Sequence, residues 1–285
     1  MATNKRVWLI TGTSSGLGHE IARAALTLGD VVVATARDPR KLADLSAEGA
    51  ITEQLDVTAP DATLSDSIAR IVQRTGTIDI LVNNAGYILA GAVEEVNRDE
   101  AQAQFATNVF GQLNVARAVL PYMRRQRSGV IANLGSMTGW QGGSAVGLYC
   151  ASKACAGIMS EALRAEVAHL GITVTAVEPG AFRTGFLAQG HKVRAERHID
   201  ELDQGTSGTH DILAAYNRQQ PGDPVKAAKL IVEGVTGTGR CEGRELPARW
   251  LIGSDAHQYV TAVLDQQRNA MEQWKDLTTT TDCDA

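Results

Sequence analysis

Val7-Trp8-Leu9-Ile10-Thr11-Gly12-Thr13-Ser14-Ser15-Gly16-Leu17-Gly18 runs an apolar strand straight into a glycine-rich turn, and a helical pattern then continues from Leu17 to Leu28. This order leaves backbone N–H groups unpaired at a helix N-terminus, where they and the helix dipole attract phosphate. Glycine at 12, 16 and 18 lets the backbone approach a pyrophosphate without a Cβ in the way, and the hydroxyls of Thr13, Ser14 and Ser15 can donate to phosphate or ribose. The spacing is Gly-x-x-x-Gly-x-Gly, and taken alone it also suits an ordinary tight turn.

The flanking pattern narrows the choice. Val- and Ile-rich runs at Val7 to Thr11, Val31 to Ala36, Ile51 to Asp56, Ile78 to Asn83, Val130 to Leu134 and Ile172 to Val177 read as strands. Between them, Leu17 to Leu28, Pro39 to Glu48, Asp61 to Thr75, Asp99 to Arg125 and Leu148 to Leu170 carry helical spacing. Right-handed crossovers then give an α/β fold, a single Rossmann-type doubly wound parallel sheet with helices on both faces. No Pro/Ser-rich linker divides the alternation, so residues 1–285 are expected as one dinucleotide-binding domain. From Ala181 to Pro221 the pattern loosens into an excursion expected to act as a lid over the site. Pro224 to Gly234 resumes as a helix, Glu245 to Ile252 as a last strand and Asp255 to Trp274 as a terminal helix, with a frayed tail from Thr278 to Ala285.

Composition removes several classes of function. A formal net charge of -5 and a pI near 5.7 give no electrostatic footprint for nucleic acid or an anionic membrane, which points to a small-molecule partner. No apolar run approaches the roughly 20 residues of a membrane span. Met1 to Arg6 leaves no room for the apolar core of a signal peptide, and Cys150, Cys155, Cys241 and Cys283 lack paired metal spacing. A cytoplasmic protein with reduced thiols is expected. The six histidines form no His-Glu-x-x-His arrangement, so no metal site is expected.

Residues at successive strand ends carry the cofactor reading. Arg37 stands about 20 positions beyond the glycines, where the adenosine ribose is met, and a guanidinium suits a 2′-phosphate better than a free hydroxyl. NADP(H) is therefore expected over NAD(H), although Asp38 stands beside it. Asp56-Val57 would flank the adenine, and Asn83-Asn84-Ala85-Gly86 ends the fourth strand in the same crevice; both stretches also suit simple turns. Tyr149 and Lys153 lie one helical turn apart, thirteen residues after Ser136, so phenol and ammonium share a face. A positive charge nearby favours the phenolate and brings a Tyr within reach of proton exchange with an alcohol or carbonyl oxygen.

From about Val7 to Thr184 the chain resembles the short-chain dehydrogenase/reductase family, in its compact one-domain branch. The resemblance rests on Thr11-Gly12-x-x-x-Gly16-x-Gly18, Asn83-Asn84-Ala85-Gly86, Asn108, Ser136, Tyr149-x-x-x-Lys153 and Pro179-Gly180, in that order. Ala34-Thr35-Ala36-Arg37 and Glu178-Pro179-Gly180-Ala181-Phe182-Arg183-Thr184 look most like the subgroup related to type 1 17β-hydroxysteroid dehydrogenase. The resemblance implies Tyr149 as acid/base, Ser136 holding the substrate oxygen, and Lys153 lowering the Tyr pKa while binding the nicotinamide ribose. It also implies Asn108 holding a water that links Lys153 to solvent, Thr184 against the carboxamide after Pro179-Gly180, and a homodimer or homotetramer. Gly135, where many relatives carry a second Ser, and Cys150 depart from the family pattern.

Met137, Trp140, Gln141, Val146, Leu148 and the apolar residues of the excursion are expected at the substrate mouth, which favours a lipophilic ketone or secondary alcohol. Two other readings use the same cofactor site: an epimerase, dehydratase or cyclase step in secondary metabolism, and a non-catalytic NADP sensor. Retention of Ser136, Tyr149 and Lys153 speaks against the sensor.

Overall fold

The computed structural model describes residues 5–187, 191–217 and 219–283. Residues 1–4 of the N-terminal segment, 188–190 and 218 of the excursion, and 284–285 of the tail lie outside the described residues. In chain order the elements are β1 (Val7–Ile10), α1 (Gly16–Thr27), β2 (Val31–Ala36), α2 (Ala43–Ala47), β3 (Ile51–Gln54), α3 (Asp61–Thr75), β4 (Ile80–Asn83), β5 (Ile88–Ala90) and α4 (Arg98–Phe105). They continue with α5 (Gly111–Gln126), β6 (Gly129–Leu134), α6 (Gly147–Val167), β7 (Ile172–Pro179), β8 (Lys192–Arg194), α7 (Asp203–Ala215), α8 (Pro224–Thr236), β9 (Arg249–Ile252) and α9 (Ser254–Thr278).

Seven strands form one parallel sheet in the order β3-β2-β1-β4-β6-β7-β9. Strand residues alternate between the two faces, as the pleat requires. Trp8, Ile10, Val32, Ala34 and Val82 pack with Ile21 and Ala25 of α1 and Ile231 and Val235 of α8. Leu9, Val33, Leu81 and Ile131 pack on the opposite face with Ile68 of α3, Val115 and Val119 of α5, and Val167 of α6. The sheet is thus covered on both sides, which is why its strands read as continuous apolar runs. The chain crosses over from β1 toward one edge of the sheet and from β4 toward the other, and the crevice lies at the carboxyl ends of the strands where this direction switches. Among the described residues, no helix is long and apolar enough to cross a membrane.

Three expectations are corrected. The stretch Asp99 to Arg125 is not one helix: α4 and α5 are separated by a π-helical turn at Ala106–Phe110. The extra residue in that turn directs Asn108 inward, where its Oδ1 accepts from Tyr87 N–H (3.1 Å) and its Nδ2 donates to Tyr87 O (3.0 Å) and Ser152 Oγ (3.1 Å). Gln104 does the same for Leu89 N–H at 2.8 Å, so side chains complete the backbone pairing of the segment that leads into β5.

The excursion is more ordered than its sequence pattern suggests. It contains β8, which pairs in parallel with β5 as a separate two-stranded sheet, and α7. Three residues are too few to show a strand period, and α7 carries Gly205 and Gly208, which lower helix propensity; packing supplies what local preference lacks. Buried Glu95 accepts from Ile199 N–H at 3.0 Å, and Glu100 accepts from Glu196 N–H at 2.8 Å, tying the excursion down by two carboxylates. The terminal helix also runs beyond Trp274 to Thr278, and Thr279–Thr281 continue it as a 3-10 turn where fraying was expected.

The edge strand β9 is locked to β7 by a buried ion pair. Glu178 Oε1 accepts from Arg249 Nε (2.9 Å) and Nη2 (2.6 Å), and its other oxygen accepts from Trp140 Nε1 (2.8 Å). Burial pushes the Glu178 pKa up, against the pull of Arg249 and Trp140, so the pair depends on every one of these partners. Arg249→Ala is expected to destabilise the fold by about 3–5 kcal/mol, because it strands a buried carboxylate. Urea unfolding of the two proteins measures this, and a loss within ~0.5 kcal/mol, the range of a plain surface change, would contradict it.

Candidate active site

The crevice at the carboxyl ends of β1, β2, β4, β6 and β7 is a cavity of about 660 Å³, roofed by the excursion. Its floor on the β1 side is the glycine turn. Gly12 has φ +69, and a Cβ there would come within 2.8 Å of Ala85 Cα, so the turn after β1 lies directly against the turn after β4. Thr11 Oγ1 accepts from Asn84 N–H (3.0 Å) and Ala85 N–H (3.1 Å), and Asn84 Nδ2 donates to the carbonyls of Thr11 and Gly12 at 2.9 Å each. Gly16 is also at positive φ, +67, and its nearest neighbour would be Thr184 Cβ at 3.7 Å, which leaves backbone open toward the cavity. These features fit a pyrophosphate cradle: two glycines at positive φ and a helix N-terminus with Ser14 and Ser15 facing the space.

Arg37 lines the cavity from the end of β2, and among the described residues it makes no ion pair. Asp38, its acidic neighbour, caps the following turn through Arg40 N–H (3.1 Å) and binds the Arg40 guanidinium at 2.8 and 2.9 Å. That engagement pulls the Asp38 pKa down, and the Arg37 side chain lines the cavity beside it. Asp56 accepts from Thr58 N–H (2.9 Å) and Thr58 Oγ1 (2.7 Å), which sets the turn after β3 with Val57 beneath it.

At the other end stand Ser136, Tyr149 and Lys153, all lining the cavity and all buried. Ser136 Oγ accepts from Thr138 N–H at 3.1 Å and from Thr138 Oγ1 at 2.9 Å. A hydroxyl has two acceptor positions and one proton, so with both positions filled its proton is left to donate, to the Tyr149 oxygen or to an oxygen in the cavity. Lys153 Nζ donates to Leu134 O at 2.7 Å and lies 5.9 Å from the centre of the Tyr149 ring. Burial lowers the Lys153 pKa to about 8. Burial also drives the Tyr149 phenol well above its ordinary range, only partly offset by its interaction with Ser136. The phenol pKa is raised where a lowering was expected, because burial penalises the phenolate. The result is a neutral phenol beside a hydroxyl donor, an arrangement able to give a proton to an oxygen in the cavity.

Most of the other residues singled out in the sequence line the same space: Gly12, Ser14, Ser15, Gly16, Leu17, Arg37, Asp56, Val57, Ala85, Gly86, Pro179, Gly180 and Thr184. Four do not. Thr13 donates its N–H and hydroxyl to Thr35 O, and Gly18 lets α1 close on Asn84. Asn83 is buried between β4 and β6, donating to Gln112 O (3.1 Å) and Asn133 Oδ1 (2.9 Å). Asn108 stands behind the lining, beside Gly86, where a Cβ would come within 3.1 Å of its Oδ1 and 3.6 Å of Lys153 Nζ.

At the substrate mouth Met137 is in place, but Trp140 turns away to Glu178 and stacks with Arg249, whose guanidinium carbon is 3.7 Å from the ring centre. Gln141 faces outward to Gln266, and Val146 and Leu148 also lie outside the lining. Phe182, Phe186, Leu187, Ile212, Leu213 and Tyr216 supply the apolar wall, and Phe186 meets the Tyr149 ring at a centroid distance of 6.1 Å. Sequence reasoning placed Asn84 in the crevice only as part of the Asn83-Asn84-Ala85-Gly86 run, and it missed Thr138, Tyr87 and His191; Thr138 was visible through the Ser-x-Thr spacing that favours a local hydroxyl turn.

The family model for short chain dehydrogenase matches residues 6–194. The chain belongs to the short-chain dehydrogenase family. As a member of it, the protein is 35% identical over 277 residues to oxidoreductase BOA17 of Botryotinia fuckeliana, covering 95% of this chain and 97% of that one. A short-chain dehydrogenase from Streptomyces avermitilis has a crystal structure with TM-score 0.88 and 36% identity, covering 99% of this chain and all of that one (100%). A second solved family member, from Burkholderia phymatum in complex with NAD, shares the fold at TM-score 0.79 and 23% identity over 96% of both chains. This short-chain dehydrogenase is an oxidoreductase, and its family neighbours bind NAD or NADP.

Gly12→Ala tests the cradle. A side chain at φ +69 against Ala85 costs about 1–2 kcal/mol in backbone conformation alone. A lowered melting temperature together with weakened dinucleotide binding is expected in thermal unfolding and fluorescence titration, and unchanged binding would separate this loop from the cofactor.

Proposed function

We propose that this protein is an NADP(H)-dependent reductase/dehydrogenase that interconverts a lipophilic ketone and a secondary alcohol, within one dinucleotide-binding domain whose excursion forms the substrate wall. The observation that carries this reading is the convergence, in one cavity, of the glycine cradle and Arg37 at one end with Ser136, Tyr149 and Lys153 at the other. The apolar side chains of Phe182, Phe186, Ile212 and Leu213 face the same space and favour a lipophilic substrate over a phosphorylated sugar.

When bound, the nicotinamide supplies or takes up the hydride. In ketone reduction negative charge develops on the substrate oxygen; the donated proton of Ser136 stabilises it, and the neutral Tyr149 phenol protonates it. Lys153 holds the nicotinamide ribose, offsets the phenolate left behind and restores its proton, with Asn108 behind it in the relay. Thr184 and the Pro179-Gly180 turn would hold the carboxamide, Asp56 and Val57 the adenine side, and Ala85 and Gly86 the stretch between, where Gly86 lies beside Lys153. Buried Cys150 packs beside Tyr149, and its thiol pKa is raised by burial, which keeps it out of the proton path. Self-association through the outer faces of α5 and α6 belongs to the same reading, with Phe110 exposed in the π-helical turn before α5 and Ile158 exposed on α6.

Tyr149→Phe is expected to lower kcat/KM for ketone reduction by about 10²–10⁴ while leaving NADPH binding intact. A 340 nm assay over a panel of lipophilic ketones, with fluorescence titration alongside, decides it; tight cofactor binding with no Tyr149-dependent turnover in either direction would overturn the reading. Arg37→Ala is expected to weaken NADPH by about tenfold or more, the worth of a charge-assisted contact, and to leave NADH unchanged. The pH profile has a definite sign. With the Lys153 pKa lowered to about 8, the ammonium is present below that pH and lost above it, so kcat/KM for reduction is expected to be level in the acid range and to fall above about pH 8. A profile that stays level well past that point would remove Lys153 from the mechanism.

A further inference from the structure

One side chain of the excursion reaches the phosphate end of the cavity. His191 Nε2 lies 3.0 Å from Ser15 Oγ, across 176 residues of sequence, and the imidazole lines the cavity with Ser14, Ser15 and Arg37. Its backbone is fixed independently, because His191 O accepts from Ile88 N–H at 2.9 Å where β8 begins to pair with β5. Burial holds its pKa below the ordinary histidine value, and the positive charges of Lys41 and Arg37 act in the same direction. Of the carboxylates on the neighbouring elements, Asp38 binds Arg40 and Asp44 binds His19 (2.7 Å), while Asp56, which lines the same cavity at the end of β3, is bonded to Thr58. Arg37, a histidine and two serine hydroxyls therefore line one end of the cavity, with the Lys41 charge acting on the histidine, a composition that suits a dianion.

We propose that His191 is a ligand of the cofactor's ribose 2′-phosphate, donating from its imidazole to the group that Arg37 and Ser15 also hold. This rests on the NADP(H) reading and goes beyond it, since it makes the substrate-side excursion part of the dinucleotide site. The sign of its pH dependence follows from charge. Burial, with Lys41 and Arg37, favours the neutral ring in the free protein, whereas a phosphate dianion favours the imidazolium, so binding takes up a proton at His191. Affinity is then highest at low pH and falls as pH rises through the pKa of the bound state, by at most about tenfold per pH unit for a single proton.

The test is direct binding, by fluorescence and calorimetric titration of the whole protein with NADPH, NADH and 2′,5′-ADP between about pH 6 and 8, around the ordinary His value. Wild type is compared with His191→Gln, which keeps a hydrogen bond to Ser15 but cannot titrate. Near pH 6, His191→Gln is expected to weaken NADPH and 2′,5′-ADP by about tenfold, the worth of one charge-assisted hydrogen bond, and to leave NADH unchanged. The variant's own profile contains the titration of the phosphate, near pH 6, so the difference between profiles belongs to His191. A retained NADPH preference with identical profiles in both proteins overturns the inference and spares the NADP(H) reading. An equal loss for NADH and NADPH also overturns it, since it makes His191 a support of the loop alone. Equal wild-type affinity for NADPH and NADH overturns the NADP(H) reading itself, and the inference with it.

Discussion

The close approach of the turn after β1 to the turn after β4 is the constraint on which the rest of this structure depends. Gly12 at positive φ lies against Ala85, with Thr11 Oγ1 and Asn84 Nδ2 bonding the two turns together. This seam forms where the strand order reverses direction, and it fixes where backbone N–H groups face open space. The cavity, the position of α1 and the path of residues 84–88 toward Lys153 all follow from it. Gly18 serves the same seam from the helix side, since a Cβ there would collide with Asn84.

A second layer of organisation holds the reacting end. Ser136 begins the turn that ends at Trp140, and Trp140 is pinned to Glu178, which in turn binds Arg249 of the edge strand. Gly135, a departure from the family pattern, has its physical reason here: a Cβ at that position would come within 3.0 Å of Glu178 Cγ. The absence of a second serine thus accommodates the buried carboxylate. Burial sets the chemistry as well. Tyr149 and Lys153 are each desolvated, so the phenol is held protonated and the ammonium is readily lost, and both states are sensitive to whatever charge enters the cavity.

The roof of the site obeys different rules from its floor. β8 has three residues and α7 two glycines, and neither has a sequence period strong enough to announce itself. They are held by contacts with distant parts of the chain: Glu95 and Glu100 on the backbone of 196–199, β5 on β8, and Ser15 on His191. Where the floor is built from local turns repeated at strand ends, the roof is built from long-range pairs.

By itself, the sequence determined the alternation of strands and helices along the chain, the glycine turn after the first strand, Arg37 at the end of the second strand and the shared face of Tyr149 and Lys153. Each of these is written in residues close together along the chain, where strand and helix periods and turn chemistry operate. Only the tertiary structure decided that Asn83 and Thr13 turn inward, that Trp140 serves Glu178 and leaves the substrate wall, that a π-helical turn interrupts 98–126, and that His191 meets Ser15. Those choices depend on which buried polar group finds a partner and which side chain fills a given space. Such outcomes come from packing between segments far apart in sequence, and no local pattern encodes them.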